Sequence, residues 1–164
     1  MPPEKFLVVP LTDSAIDTML MKTIFVSLLV ICWSVSAIAG QFDARATFGI
    51  VPGNDLTSAL KRAEQSKKPV LLFFWNSKEK GNYPGLEMKY FAERQETKKL
   101  LKDNFILVLL DRDHSQVKKY IPAGNIEKAQ WVLIAPDGHV LKQEAVYGNP
   151  DVGLKTIKDL VALP

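Results

Sequence analysis

The sequence predicts an α/β domain in which helices flank both faces of a central mixed sheet of about four to five strands. Three apolar runs predict strands buried on both faces, at 70–75, 105–110 and 131–135. Helical patterns separate these runs, whereas Pro136-Asp137-Gly138 follows the third as a turn that joins antiparallel strands. Two crossovers followed by a hairpin give parallel and antiparallel neighbours in one sheet.

The composition is that of an ordinary globular domain. The chain has 164 residues, of which 47% are hydrophobic and 24% charged, and it has one cysteine. These values exclude a disordered chain, a collagen, a disulfide scaffold and a multi-span membrane protein. The formal net charge of +3 is too small and too evenly spread to predict a nucleic-acid partner.

An uncharged segment near the N-terminus predicts export. Lys22 precedes an apolar stretch that ends in Ala37-Ile38-Ala39, a small-x-small cleavage site. This is the pattern of a secretory signal peptide over residues 21–39. Residues 1–20 are acidic and make a poor basic leader, so we expect translation to start at Met21 or Met19. The mature domain would then be residues 40–164, periplasmic or otherwise exported, with no membrane span after cleavage.

Two alternatives for this segment are an uncleaved membrane anchor and a lipid anchor. An uncleaved anchor is disfavoured because the uncharged run is about 17 residues long and contains three serines, whereas a span takes roughly 20 apolar residues. Lipid attachment at Cys32 is disfavoured because the preceding Ile31 is large and branched. With cleavage after Ala39, Cys32 is removed and the mature chain contains no thiol.

Other elements follow from residue spacing. Residues 41–52 predict an edge strand or a packed arm. Asn54 is expected to cap a helix with apolar residues at spacings of three and four, and a second helical pattern runs from Leu86 through Leu101. The remaining predictions are a short helical piece at 117–121, a fourth strand at 140–147 and a last helix at 151–163.

Three stretches together resemble the thioredoxin-like family, most closely the periplasmic subgroup that includes the C-terminal domain of the membrane thiol-disulfide interchange reductases. The first is the helix and strand at 55–75, D-L-T-S-A-L-K-R-A-E-Q-S-K-K-P-V-L-L-F-F-W. The second comprises the helices and strand at 86–91 and 98–113. The third is the hairpin at 131–141, W-V-L-I-A-P-D-G-H-V-L. Their order and spacing carry the resemblance, which implies a thioredoxin-like fold.

The resemblance also shows which residues this chain lacks. In the family a Trp-Cys-x-x-Cys sequence follows the first strand: one thiolate attacks a disulfide and the second thiol resolves the mixed disulfide. Counting back from Leu86-Glu87 places the corresponding positions at Lys80, Gly81, Asn82 and Tyr83. Neither cysteine position carries a thiol.

The family has a second conserved feature, a cis-proline just before the third strand. Here that site corresponds to Ala129 or Gln130, and we expect a trans peptide because a cis bond without proline costs about 3 kcal/mol. Two separate parts of one catalytic apparatus are therefore missing, which predicts loss of the redox function.

Three other sets of polar residues are weaker candidates for a functional site. Asp111, Asp113 and His114 could ligate a metal, but ligands two and three apart at a strand end do not converge without partners, so a solvated strand end with Asp113 capping the next helix is favoured. Ser77 lies in the former active-site loop, but a serine nucleophile needs a base and an oxyanion hole that the sequence does not place there. His139 is expected to be an exposed turn residue. No metal or cofactor is predicted.

Aromatic residues surround the former active site, and most are expected in the core, including those of the 86–91 helix. Trp75 and Tyr83 are the exceptions expected to be partly exposed, and with Ser77 they form a candidate binding surface. The sequence therefore predicts an exported, redox-inactive domain, not an enzyme, that binds a protein or peptide non-covalently in the cell envelope. The alternatives are a thiol-disulfide oxidoreductase relative with a residual redox or folding role, or a purely structural module.

Overall fold

The computed structural model describes residues 42–78, 83–121 and 128–163. The segment predicted to be a signal peptide and the positions Lys80, Gly81 and Asn82 lie outside these ranges. The described residues form a four-stranded sheet in the order β2-β1-β3-β4, with β1 parallel to β2, and β3 antiparallel to both β1 and β4. The strands are β1 (Val70–Trp75), β2 (Ile106–Asp111), β3 (Gln130–Ile134) and β4 (Val140–Ala145). The predicted mixed sheet is confirmed.

Helices cover both faces of this sheet. They are α1 (Ala44–Phe48), α2 (Leu56–Ser66), α3 (Tyr83–Phe91), α4 (Gln95–Asn104) and α5 (Pro150–Val161), with a 3-10 helix at Lys118–Tyr120. Alternate strand residues point to opposite faces, so a strand covered on both sides must be apolar throughout. Phe73 and Trp131 pack in a cluster with residues of α1, α3, α4 and α5, whereas Leu72 and Phe74 pack in a second cluster with residues of α2 and the 3-10 helix.

The segment before the first long helix differs from the edge-strand prediction. Residues 44–48 form α1, whose first turn is capped by the Asp43 carboxylate, which accepts from the N–H of Ala46 at 2.9 Å. Phe48 is fully buried in the core, so the packed-arm alternative is confirmed. The only trace of strand pairing in this described segment is an isolated bridge between Gly53 and Val108.

Helix boundaries required two corrections. Asp55, not Asn54, caps α2, and its carboxylate accepts from the N–H groups of Thr57 at 3.1 Å and Ser58 at 3.3 Å. The single helix predicted from Leu86 to Leu101 is in fact two helices. The break lies at Arg94, where the backbone adopts an extended conformation (φ −66°, ψ 137°). The apolar spacing continues across this break because α3 and α4 both contribute residues to the same cluster.

The C-terminal elements are shorter than expected. β4 ends at Ala145, and α5 spans Pro150–Val161, with the Asn149 side chain accepting from the N–H groups of Asp151 at 2.9 Å and Val152 at 3.2 Å. The β3–β4 register shifts between Leu133, opposite Lys142, and Ile134, opposite Val140. Leu141 is therefore an extra residue, a bulge in β4. Within the described ranges, no helix is long and apolar enough to cross a bilayer.

Candidate functional site

The carboxyl ends of β1 and β2 meet at one edge of the sheet because the two strands are parallel. Trp75 at the end of β1 is paired with Asp111 at the end of β2, and the N–H of Arg112 donates to the Trp75 carbonyl at 2.7 Å. The polar segment after β1 therefore lies beside the one after β2. This places Ser77, a residue of the predicted binding surface, next to Asp111.

Asp111 connects the two loops. Its carboxylate accepts from the hydroxyl of Ser77, from the Ser77 N–H at 3.1 Å and from the Asp113 N–H at 2.9 Å. Sequence reasoning treated Asp111 only as a weak metal-ligand candidate. The available signal was its position at a strand end beside a loop with polar donors, but the contact spans 34 residues of sequence.

The pKa of Asp111 lies below its usual range. Partial burial, the largest single influence, opposes ionisation, but it is outweighed by the hydrogen bonds from Ser77 and Asp113 and by the charge of Lys78. The carboxylate is therefore ionised at neutral pH, which suits an acceptor of several hydrogen bonds. A carboxylate of low pKa is also a weak base.

A second polar contact lies further out. The Lys78 ammonium pairs with Asp113 at 3.0 Å, and this hydrogen bond is the main reason that the pKa of Lys78 is raised. The prediction that Asp113 caps the next helix is wrong: the 3-10 helix begins after Val117, which makes no side-chain cap. The described residues contain no group of three or more His, Cys, Asp or Glu placed to hold a metal ion.

The Ser77 hydroxyl donates its hydrogen bond to the Asp111 carboxylate. The nearest histidine in sequence to Asp111, His114, accepts through its Nδ1 atom from the N–H of Gln116 at 3.3 Å. His139 is exposed and pairs with Asp137 at 2.5 Å at the hairpin turn, as expected for a turn residue. Within the described ranges, the Ser77 hydroxyl thus bonds to a carboxylate, whereas a serine nucleophile needs an imidazole base. The contact instead ties the loop to the end of β2.

The two positions assigned to the missing cis-proline are integrated into the sheet. Ala129 is fully buried, and its carbonyl accepts from the N–H of Val146 at 2.8 Å. Gln130 begins β3 opposite Phe74 and Ala145. No cis peptide bond occurs among the described residues, so the backbone at Ala129 and Gln130 is trans. Their correspondence to the family's cis-proline stays a prediction.

The two aromatic residues of the predicted surface differ in exposure. Trp75 is half-buried, and the Phe42 ring lies against it with a centroid distance of 5.0 Å. Tyr83, the first residue of α3, is 69% exposed. Trp75 is therefore partly covered by Phe42, whereas the Tyr83 side chain is largely exposed.

An apolar stripe on α3 was missed by sequence reasoning. Tyr83, Leu86 and Tyr90 follow at spacings of three and four, and Leu86 and Tyr90 are 41% and 46% exposed. The expectation that the 86–91 helix turns its aromatic residues inward holds for Phe91, which is buried with Met88, but is wrong for Tyr90. The signal was present in the sequence, because residues 86 and 90 share a helix face that excludes 88 and 91.

Tyr147, 52% exposed, lies in the segment that approaches α3: a Cβ at the next residue, Gly148, would be 3.1 Å from the Cα of Glu87. The Lys128 ammonium lies 5.0 Å from the Tyr147 ring centroid and 3.7 Å from the carboxylate of Glu87, which is on α3 between Leu86 and Tyr90. We call Tyr83, Leu86, Tyr90 and Tyr147 the aromatic face.

Comparisons with known proteins agree on the architecture. No protein-family model matches the sequence, and no curated protein matches it significantly. Solved structures do match, including a thioredoxin from Thermus thermophilus (14% identity, TM-score 0.55, 68% of this chain and 88% of that one) and a DsbH oxidoreductase (17%, 0.54, 77% and 94%). The Neisseria meningitidis DsbD C-terminal domain also matches (16%, 0.50, 66% and 98%). At these identities the likeness concerns the fold, and together with the sheet order it establishes that this chain has the thioredoxin-like fold.

Proposed function

We propose that this protein is an exported thioredoxin-like domain that has lost thiol-disulfide chemistry and binds a protein or peptide non-covalently in the cell envelope. The observation that carries the proposal is the aromatic face, which begins at Tyr83, the position that the resemblance assigns to the family's second cysteine. Exposed contiguous apolar surface rimmed by polar residues is typical of interaction sites. Tyrosine is also among the residues that most often anchor protein interfaces.

The aromatic face rests on a rigid support. Met88 and Phe91 on the opposite side of α3 are buried, and α5 lies so close at Gly153 that a Cβ there would meet the Phe91 carbonyl. A surface held in place by packing loses little conformational freedom on binding, which favours affinity. The loop ordered by Asp111 lies at the end of β1, in the same chain segment as Trp75 and Ser77.

The proposed loss of redox chemistry rests on the thiol count. Disulfide exchange in this family needs an attacking and a resolving thiol, and the whole chain has one cysteine, Cys32. Cys32 lies inside the segment predicted to be the signal peptide, so cleavage after Ala39 would leave no thiol. The mass of the exported protein tests the cleavage directly: a mass that includes Cys32 would contradict it.

The binding proposal is tested by affinity capture from the envelope fraction with the full protein and a Tyr83→Ser/Tyr90→Ser variant. We expect the variant to lose the partners that the unmodified protein retains. The control is Val140→Ser/Val161→Ser, which removes two exposed apolar side chains elsewhere (46% and 39% exposed) and should retain the partners. Partners that survive the tyrosine substitutions unchanged would contradict the proposal.

Loss of redox activity is tested separately by an insulin-reduction assay with dithiothreitol as the electron source. We expect no acceleration over the uncatalysed rate. Measurable turnover would favour the alternative of a residual oxidoreductase, whatever the outcome of the binding experiment.

A further inference from the structure

A cavity lies at the end of the sheet where β2 begins, opposite the end that carries Trp75 and Asp111. Its volume is about 540 Å³, within the range of small-molecule sites in proteins. It is lined by the segment between α1 and α2, the C-terminal half of α2, the end of α4 and the first residues of β2. No residue of the aromatic face lines it.

The charged side chains that line this cavity are all basic. Arg62 comes from α2, Lys68 from the connection to β1 and Lys102 from α4, and none of the described lining residues carries a carboxylate. The amide of Gln65 adds a further polar group to the lining. Residues from three parts of the chain thus bring positive charge to one concave site, which we call the basic cavity.

The three cations are not neutralised by ion pairs. Among the described residues, none of Arg62, Lys68 and Lys102 belongs to an ion pair. Lys68 donates to the main-chain carbonyl of Asp103 at 2.7 Å, and the Asp103 carboxylate pairs with Lys99 at 2.6 Å. An ammonium has three donors and a guanidinium five, so each of the three cations keeps donors for a ligand.

The helix ends beside the basic cavity do not cancel its charge. Both α2 and α4 end there, and the C-terminus of a helix carries about half a negative charge. Two such ends offset about one of the three positive charges. The Asp103–Lys99 pair adds no net charge, so the basic cavity keeps a net charge of about +2, which attracts an anion.

The floor of the basic cavity is apolar but nearly inaccessible. Phe105, Ile106 and Leu107 are only 4%, 7% and 4% exposed, and the Leu107 carbonyl already accepts from the Gly53 N–H at 2.9 Å. Val51, 71% exposed, belongs to the lining but is a single small side chain. Recognition therefore depends on the basic side chains, which favours a small polar anion over an apolar ligand or an added strand.

We propose that the basic cavity binds a phosphomonoester group, a tetrahedral anion that carries close to two negative charges at neutral pH. The planar Arg62 guanidinium can pair with two phosphate oxygens at once, and the ammonium groups of Lys68 and Lys102 act as point charges toward the others. A dianion balances the net charge of the cavity, whereas a monocarboxylate balances only half of it. The proposal does not depend on the function proposed for the aromatic face.

The test is an NMR titration of the full chain at fixed ionic strength, with the amide shifts of the lining residues as the readout. The free probe is glycerol 3-phosphate, and acetate is the monocarboxylate control. Phosphatidylcholine vesicles that contain phosphatidic acid present the same phosphomonoester on a lipid, and pure phosphatidylcholine vesicles are their control. Vesicle binding is measured by co-sedimentation.

We expect glycerol 3-phosphate to shift the lining amides saturably and acetate to bind at least about tenfold more weakly. Arg62→Gln/Lys102→Gln should weaken phosphate binding roughly three- to tenfold, as expected for the loss of two exposed charge pairs. Lys89→Gln/Lys118→Gln removes two exposed cations that do not line the cavity and should bind as the unmodified protein does. The dispersion of the amide shifts in the same spectra shows that each variant is folded.

The two forms of the probe distinguish the sources of the phosphate group. Binding only to phosphatidic acid vesicles, weakened by Arg62→Gln/Lys102→Gln, would support the proposal with a lipid headgroup as the ligand. Absence of binding to both forms, equal binding of acetate, or an equal effect of the two double variants would each overturn the proposal.

Discussion

Two regions of the molecule are held in place differently. Close packing fixes the core between α3 and α5, whereas hydrogen bonds fix the loops that follow β1 and β2. In the core, Phe91 is buried and α5 approaches it so closely that position 153 has no room for a side chain. In the loops, exposed residues around Ser77 depend on hydrogen bonds to the single carboxylate of Asp111. Many residues contribute to the packing of the core, whereas both hydrogen bonds from Ser77 end on Asp111. Because the two regions depend on different contacts, the loop can change while the packed scaffold is kept.

The largest effect should come from Gly153→Ala. A Cβ at this position would lie 1.9 Å from the carbonyl oxygen of Phe91, so α3 and α5 would have to separate. We expect the free energy of unfolding, measured by urea denaturation, to fall by about 3 kcal/mol. Val152→Ala, at an exposed neighbouring position, should change it by less than about 0.5 kcal/mol. Equal stability of the two variants would refute the close approach.

A smaller and more local effect is expected from Asp111→Ala. The variant leaves the N–H groups of Ser77 and Asp113 without their acceptor, and loss of such charged hydrogen bonds costs about 1 to 2 kcal/mol. Hydrogen exchange should accelerate at these two amides while the amide of Phe73, inside β1, keeps its protection. Asp113→Ala removes only the exposed pair with Lys78 and should change stability by less than about 0.5 kcal/mol. Faster exchange throughout β1 in Asp111→Ala would show that loop and core are not independent.

The smallest effect should appear on acidification. Hydrogen bonds from Ser58 and Gln116 lower the pKa of Asp55 to about 2, and the pKa of Asp111 is also lowered. Because both are depressed in the folded state, their stabilisation is complete above about pH 4, the ordinary carboxyl value, and is lost as the pH falls through the lowered pKa values. Amide protection at Ser77 and Thr57 should therefore decrease below about pH 4 before that of β1. An Asp111→Asn variant should show no such pH dependence at Ser77, and its persistence there would point to another group.

The sheet could be predicted because each of its buried strands is recognisable from the residues of that strand alone. Each buried run is apolar at every position, and the Pro136-Asp137-Gly138 turn fixes the antiparallel hairpin. The helix break at Arg94 was not predictable from periodicity, since the residues on both sides pack on one cluster. The five-residue α1 was missed because so short a helix depends on the packing of Phe48 more than on its own sequence.

The site was less predictable than the sheet. The sequence correctly predicted that Tyr83 would be at least partly exposed, because that residue ends a polar segment, although it begins α3 and does not lie in the loop. The role of Asp111 depends on the parallel pairing of two strands, and the exposure of Tyr90 depends on which side of α3 faces α5. Both require the relative placement of elements that are distant in sequence.

The bulge at Leu141 bears on how readily the outer edge of β4 can pair with another strand. β4 forms the other outer edge of the sheet, and its exposed residues include Lys142 and Glu144, which pair at 2.9 Å. An irregular, charged edge is a poor template for the growth of intermolecular sheets and fibrils. Removing Leu141 would restore a regular ladder to β4 and would make this edge, on the side of the sheet away from β2, a better template for intermolecular pairing.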